Sequence, residues 1–142
     1  MNKTERENYF NDCVEELLIG GTAISEWCTF VSKSVYDSFV NGADLATVIT
    51  ALACIEAYCK IEYEEYQKSS LSAIIDSLDF LSTEDKVILH SLRKYRNHWV
   101  HFQELDDSPI LENEQKYIDE AEQNAILAVR LLIKVLFSNA FI

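Results

Sequence analysis

Apolar residues recur at steps of three and four along most of this chain, the spacing that gathers them on one side of a helix. Phe10, Cys13, Leu17, Ile24, Trp27, Val31, Val35 and Phe39 form the first such series, and Gly20-Gly21 interrupts it. The stretch therefore predicts one kinked helix or two. Thr4-Glu5-Arg6-Glu7 has capping-box form, a hydroxyl at the N-cap and a carboxylate three residues on, and marks the start. Asn41-Gly42-Ala43-Asp44 supplies a left-handed stop and then a new N-cap. Leu45, Val48, Leu52, Ile55 and Cys59 follow, predicting a second helix from about Asp44 to Lys68.

Ser69-Ser70 breaks that pattern, and Leu71, Ile74, Ile75 and Leu78 predict a short helix. Ser82-Thr83-Glu84-Asp85 opens another by capping chemistry, with Ile88, Leu92, Tyr95, Trp99 and Phe102 as its buried stripe. Gln103 to Pro109 reads as a loop before a long final helix. Ile118, Ala121, Ala125, Ala128, Leu132 and Val135 are spaced as the core seam of that helix. Its apolar end, running to Phe141-Ile142, suits either a subunit contact or the protomer's own core. The fold class expected is all-α: one domain over 1–142, an up-down bundle of four to five helices.

Composition agrees with that reading. Hydrophobic residues make up 49% and aromatic residues 11%, enough apolar surface to offset the entropy of ordering the chain. Three glycines and one proline leave too few turn-formers for a fold of many short strands. Cys13, Cys28, Cys54 and Cys59 include no C-x-x-C pair, and each falls in an apolar helical stripe. They read as buried free thiols, which suits a reducing compartment. Met1 to Asn8 is polar and lacks the apolar core of a signal peptide, and no apolar run reaches the ~18 residues of a membrane span. A cytoplasmic protein without membrane contact is expected. Gly-rich phosphate loops and nucleophile-elbow motifs are missing, so no cofactor is expected.

Charge changes the picture. The formal net charge of −12 gives the molecule a mean field that repels phosphate backbones, so any contact with nucleic acid must be local. One segment reverses the sign: Arg93, Lys94, Arg96, His98 and His101 lie within nine positions. Cations in the last turns of a helix complement the negative end of its dipole, and that role alone would account for them. The residue types support more. An arginine five positions before a histidine offers a permanent cation beside a group that exchanges protons near neutral pH. Such a pair can cleave RNA without metal, the imidazole serving as general base or acid and the guanidinium steadying the phosphorane-like transition state. Five helical steps of ~100° place Arg96 and His101 about 140° apart on an ideal helix. Either the helix unwinds just before His101 or the site is composed across a symmetric dimer.

Arg96-Asn97-His98-Trp99-Val100-His101 resembles the R-x(4–6)-H motif of HEPN domains, in which a polar residue, often Asn, follows the arginine. Its place near the end of a late helix, before the last long helix, is similar too, and Leu45 to Lys60 with Glu56 resembles the family's second helix with its acidic residue. The similarity covers the order of helices through most of the chain, with Arg96, Asn97, His101 and Glu56 as its residue-level support. It implies a HEPN-like bundle and a metal-independent endoribonuclease that dimerises so that two motifs face one another, leaving 2′,3′-cyclic phosphate ends. By the same resemblance Arg96 and His101 would be catalytic, Asn97 would orient them or the phosphate, and Glu56 would hold Arg96 or His101. RNA as substrate, a homodimer, and a toxin or antiviral defence role under an antitoxin or other regulatory protein partner are likewise implied. In one toxin branch the motif continues as H-x-Y, whereas Phe102 and Gln103 follow His101, so the tyrosine that branch presents for modification is missing.

Other readings compete at these positions. His98, His101 and Glu104 have the spacing of a metal site only if helix continues through the loop, so no metal is expected, and His98 is kept as a supporting residue. His90 has no obvious partner and reads as a structural residue. Glu56 and Lys60 form an i, i+4 pair whose structural role competes with any part in a site. Trp27, Trp99 and the tyrosines fall mostly on apolar stripes and read as core. The competing function is a non-catalytic helical interaction module, binding nucleotide or a regulatory protein.

Overall fold

A computed structural model describes residues 1–18, 23–101 and 110–138. Helix α1 (Lys3–Leu17) starts two residues before the capping box predicted at Thr4: Asn2 is the N-cap, accepting from the Glu5 amide at 2.9 Å. The Asn2 amide in turn donates to the Glu5 carboxylate at 2.6 Å. Both Asn2-x-x-Glu5 and Thr4-x-x-Glu7 have the chemistry; the earlier start builds Arg6 into the first turns, where its guanidinium reaches interior carboxylates. The first apolar series is two helices. Leu18 leaves α1 with extended backbone, and α2 (Glu26–Val40) begins afresh at Ser25, whose hydroxyl accepts from the Cys28 amide at 3.1 Å. Gly20-Gly21 lies outside the described residues. The two helices run antiparallel, with Phe10 edge-on to Tyr36 and Tyr9 against Phe39.

Gly42 stops α2 at the predicted place, with φ 76. Bonds from the Gly42 amide to the Phe39 carbonyl (3.1 Å) and from the Ala43 amide to the Ser38 carbonyl (2.9 Å) make a Schellman end. Helix α3 (Asp44–Glu62) then begins with Ala43 as an N-cap that makes no side-chain bond. Asp44, expected to cap, is the first helical residue and is paired with Arg6 instead. The helix ends at Glu62, short of Lys68, where Tyr63 turns extended before a 3-10 turn over Glu64–Tyr66. Glu62, Glu64 and Glu65 would crowd the negative end of a longer helix dipole, which accounts for the early stop.

Helix α4 (Leu71–Ser77) is capped by Ser70 and buries Leu71, Ile74 and Ile75. Helix α5 (Thr83–Val100) starts as predicted from a Ser82/Asp85 capping box, and Asp85 also binds Lys134 of the last helix, α6 (Glu114–Leu136). The core is centred on α3 and α6. Val48, Ala51, Leu52, Ile55 and Tyr58 of α3 face Ala125, Ala128, Val129, Leu132 and Val135 of α6, all at most 1% exposed. Alanines at this contact let the two backbones approach, while α2, α4 and α5 close the remaining sides. Ile118 stands 49% exposed, so the predicted seam of α6 buries only its later part. Trp27 is also 49% exposed, correcting its place in the core.

All four cysteines are buried, as their stripes implied. Cys54 Sγ lies 3.9 Å from the Cys28 carbonyl, where α2 meets α3. The described residues form helices and no strand, so the all-α expectation is met, and none of these helices is long and apolar enough to cross a membrane. The predicted apolar end beyond Ser138 and the loop over 102–109 lie outside the described residues.

Candidate functional site

The last turns of α5 carry the cationic segment. Helical bonding persists to its end: the His101 amide still donates to the Asn97 carbonyl at 3.0 Å, and only at His101 itself does the backbone turn extended, φ −106 and ψ 113. Of the two arrangements open to the sequence, unwinding ahead of His101 is therefore ruled out. Within one chain Arg96 and His101 keep the separation of about 140° that regular helix imposes.

Arg96 and Asn97 are brought together. The Asn97 side-chain oxygen accepts from Arg96 Nη2 at 3.0 Å and from Nε at 3.3 Å, a fork that fixes the plane of the half-buried guanidinium. His101 is exposed at the helix end, and among the described residues no hydrogen bond or ion pair joins it to Arg96. Glu56 is engaged elsewhere, binding Lys60 at 3.1 Å on the outer side of α3. The i, i+4 pairing that competed with its supporting role is thus formed.

His98 lies about 160° around α5 from Arg96 by the same helical arithmetic. It stands exposed, edge-on to the Trp99 indole at 5.1 Å between ring centroids. Trp99 in turn meets Tyr95 at 6.4 Å and Tyr117 of α6 at 5.6 Å, the latter at 88°. These rings, with His98 and Lys116, line a cleft of about 730 Å³ between α5 and the first half of α6. Burial, and then the nearby Glu120 carboxylate, push the Tyr95 phenol above its usual range. Tyr117 and Lys116 were not singled out from the sequence, because nothing local ties them to α5; their pairing depends on how α6 packs back.

His90, which had no evident partner in the sequence, has one here: its Nε2 lies 2.7 Å from Asp76 Oδ1 in α4. Lys86 reaches the Asp76 carbonyl at 3.0 Å, so the two side chains pin α4 to α5. Among the described residues no group of three or more His, Cys, Asp or Glu converges as a metal site, and Glu104 of the proposed His-x-x-His-x-x-Glu spacing lies outside them. No family model, curated protein or solved structure matches the chain.

Proposed function

We propose that this chain is a HEPN-type, metal-independent endoribonuclease that works as a homodimer, with Arg96 of one protomer completing the site around His101 of the other. The observation that carries the reading is the Arg96–Asn97 fork near the end of α5, followed by an exposed histidine at the C-cap. Because regular helix holds Arg96 and His101 on different sides of one protomer, two-fold symmetry is the economical way to bring both onto one phosphate.

In that site the His101 imidazole takes the proton of the ribose 2′-hydroxyl, the 2′-oxygen attacks phosphorus, and the bond from phosphorus to the 5′-oxygen breaks. The 5′-oxygen leaves with a proton taken from water while the imidazolium returns its own to solvent, giving a 2′,3′-cyclic phosphate and a 5′-hydroxyl. Arg96, kept in plane by Asn97, donates to the phosphate oxygens as charge builds on them. The acidic surface makes unaided RNA binding weak, which fits an effector of toxin or antiviral type whose substrate is delivered by a regulatory partner.

Pure protein incubated with mixed RNA and EDTA should leave 2′,3′-cyclic phosphate ends, and His101→Ala or Arg96→Ala should lower the rate about 10²-fold or more while helical circular dichroism is kept. Mixing and re-equilibrating the two inactive variants should then restore about a quarter of wild-type activity, since half the dimers carry one intact composite site. Cleavage that persists in His101→Ala, or that depends on added divalent metal, defeats the mechanism. Trp27 and Phe30, 49% and 74% exposed on α2, favour the second reading, a non-catalytic helical interaction module, and RNA left intact in EDTA would leave that reading standing.

A further inference from the structure

The four arginines of this acidic chain divide into two kinds. Arg6 binds Asp44 and Glu122, and Arg130 binds Glu16 at 2.8 and 3.0 Å. The other two, Arg93 and Arg96, sit three residues apart on α5, and among the described residues neither meets a carboxylate. Both are half-buried, and Arg93 Nε is shut off from solvent with no hydrogen-bond partner among the described residues. In a chain with 24 acidic residues against 12 basic ones, carboxylates are plentiful, so two sheltered guanidinia without one are an uncommon arrangement. Removing a guanidinium from water without an anion or acceptor is costly, and such groups are ordinarily paired.

Helical geometry puts the two on one side. Three steps bring Arg93 and Arg96 within about 60° of each other and ~4.5 Å along the axis, a spacing at which the Nη groups of both can reach one tetrahedral anion, Nε of Arg93 being buried and Nε of Arg96 bound to Asn97. Leu89 and Leu92, both fully buried one turn earlier, continue the same flank into the core and lower the local dielectric around the arginines. The aromatic cleft lies on another side of the helix and takes no part.

We propose that Arg93 and Arg96 together form a phosphate clamp, with Arg93 a binding residue that the R-x(4)-H pattern does not contain. The ligand is a phosphate group, carried by an RNA backbone or by a free phosphate compound. The RNA source rests on the nuclease reading; the clamp itself does not, and the two can fail separately. Arg93 holds the anion while Arg96, kept in plane by Asn97, donates to the oxygens on which charge develops during cleavage.

The test uses the full chain and two probes: inorganic phosphate, followed by the shift in thermal midpoint, and a 2′-O-methylated single-stranded RNA that cannot be cleaved, followed by anisotropy at several salt concentrations. Wild type should be stabilised by phosphate, and both Arg93→Met and Arg96→Met should remove most of that shift. For the RNA, Arg93→Met should weaken binding about tenfold and reduce the salt slope by ~0.7, the value of one lost phosphate contact on a single strand. Arg93→Lys should restore part of both. Without added anion, Arg93→Met should melt no lower than wild type, because it removes an uncompensated charge; an arginine serving only the fold would melt lower. Phosphate binding that needs both arginines, with no RNA binding, keeps the clamp and assigns it to a free phosphate compound, while cleavage in EDTA decides the nuclease separately. Phosphate stabilisation unchanged in Arg93→Met, or a variant that melts well below wild type without anion, overturns the clamp.

Discussion

Cys54 and Cys59 show how far a single side chain's properties follow from where it sits. Burial, and then the neighbouring Cys28, push both thiols up to about 12, whereas an unfolded thiol ionises near 8.5. Between those values the folded chain holds protons that the unfolded chain has released, so stability is full below about pH 8.5 and falls as pH rises. The thermal midpoint of wild type should decline steadily between about pH 8.5 and 10, and a Cys54→Ala/Cys59→Ala variant should decline less steeply. Equal slopes would remove the thiols from the account. The burial of these cysteines was legible beforehand, since each stood in an apolar stripe; their proximity to Cys28 was not, because that residue lies on another helix.

Helix ends are decided at the scale of the element, by a few residues whose backbone or side chain satisfies the free amides and carbonyls. Gly42 takes φ 76, and nothing lies within 4 Å of where a Cβ would be added, so a substitution there meets only the backbone cost of a left-handed residue. Gly42→Ala should destabilise by about 1 kcal/mol in urea unfolding, and Gly42→Asn by less, because Asn visits that conformation more readily. A loss near 3 kcal/mol for Ala would mean that packing, not conformation, fixes the turn. Sequence rules found this stop and the Ser82/Asp85 start of α5 because both are local. They misplaced the start of α1 and the end of α3, where two capping patterns overlapped and where an acidic run opposed the helix dipole. Regular helix up to Val100 is likewise an element-scale fact, and it is what turns the proposed catalytic pair from a property of one chain into a property of two.

Across the whole molecule the helices are tied by an ion-pair cluster around Arg6. Its guanidinium is 4% exposed, binds Asp44 of α3, reaches Glu122 of α6 at 2.9 Å, donates to the Phe39 carbonyl at the end of α2 at 2.9 Å, and lies over the Phe39 ring. The bond to Asp44 is the largest influence holding its pKa above the ordinary arginine value, opposed by burial. Arg6→Met would leave the Asp44 carboxylate, 11% exposed, without its cation, while Glu122 would keep only the N-terminal ammonium at 3.1 Å. A loss of about 3 kcal/mol is expected in chemical denaturation. A loss under ~1 kcal/mol would mean the cluster contributes no more than a surface pair.

By itself the sequence determined the helices, the buried thiols and the place where cationic and titratable groups concentrate, because each of these depends on contacts within a few residues: a period of three to four, a cap, a cluster. Tertiary structure alone decided which faces meet. Arg6 finds partners 38 and 116 positions away, Trp99 finds Tyr117 on another helix, and Arg93 Nε is buried without a partner among the described residues. Packing of α3 against α6 sets those meetings, and burial then gives each polar group the surroundings that fix its charge and its use.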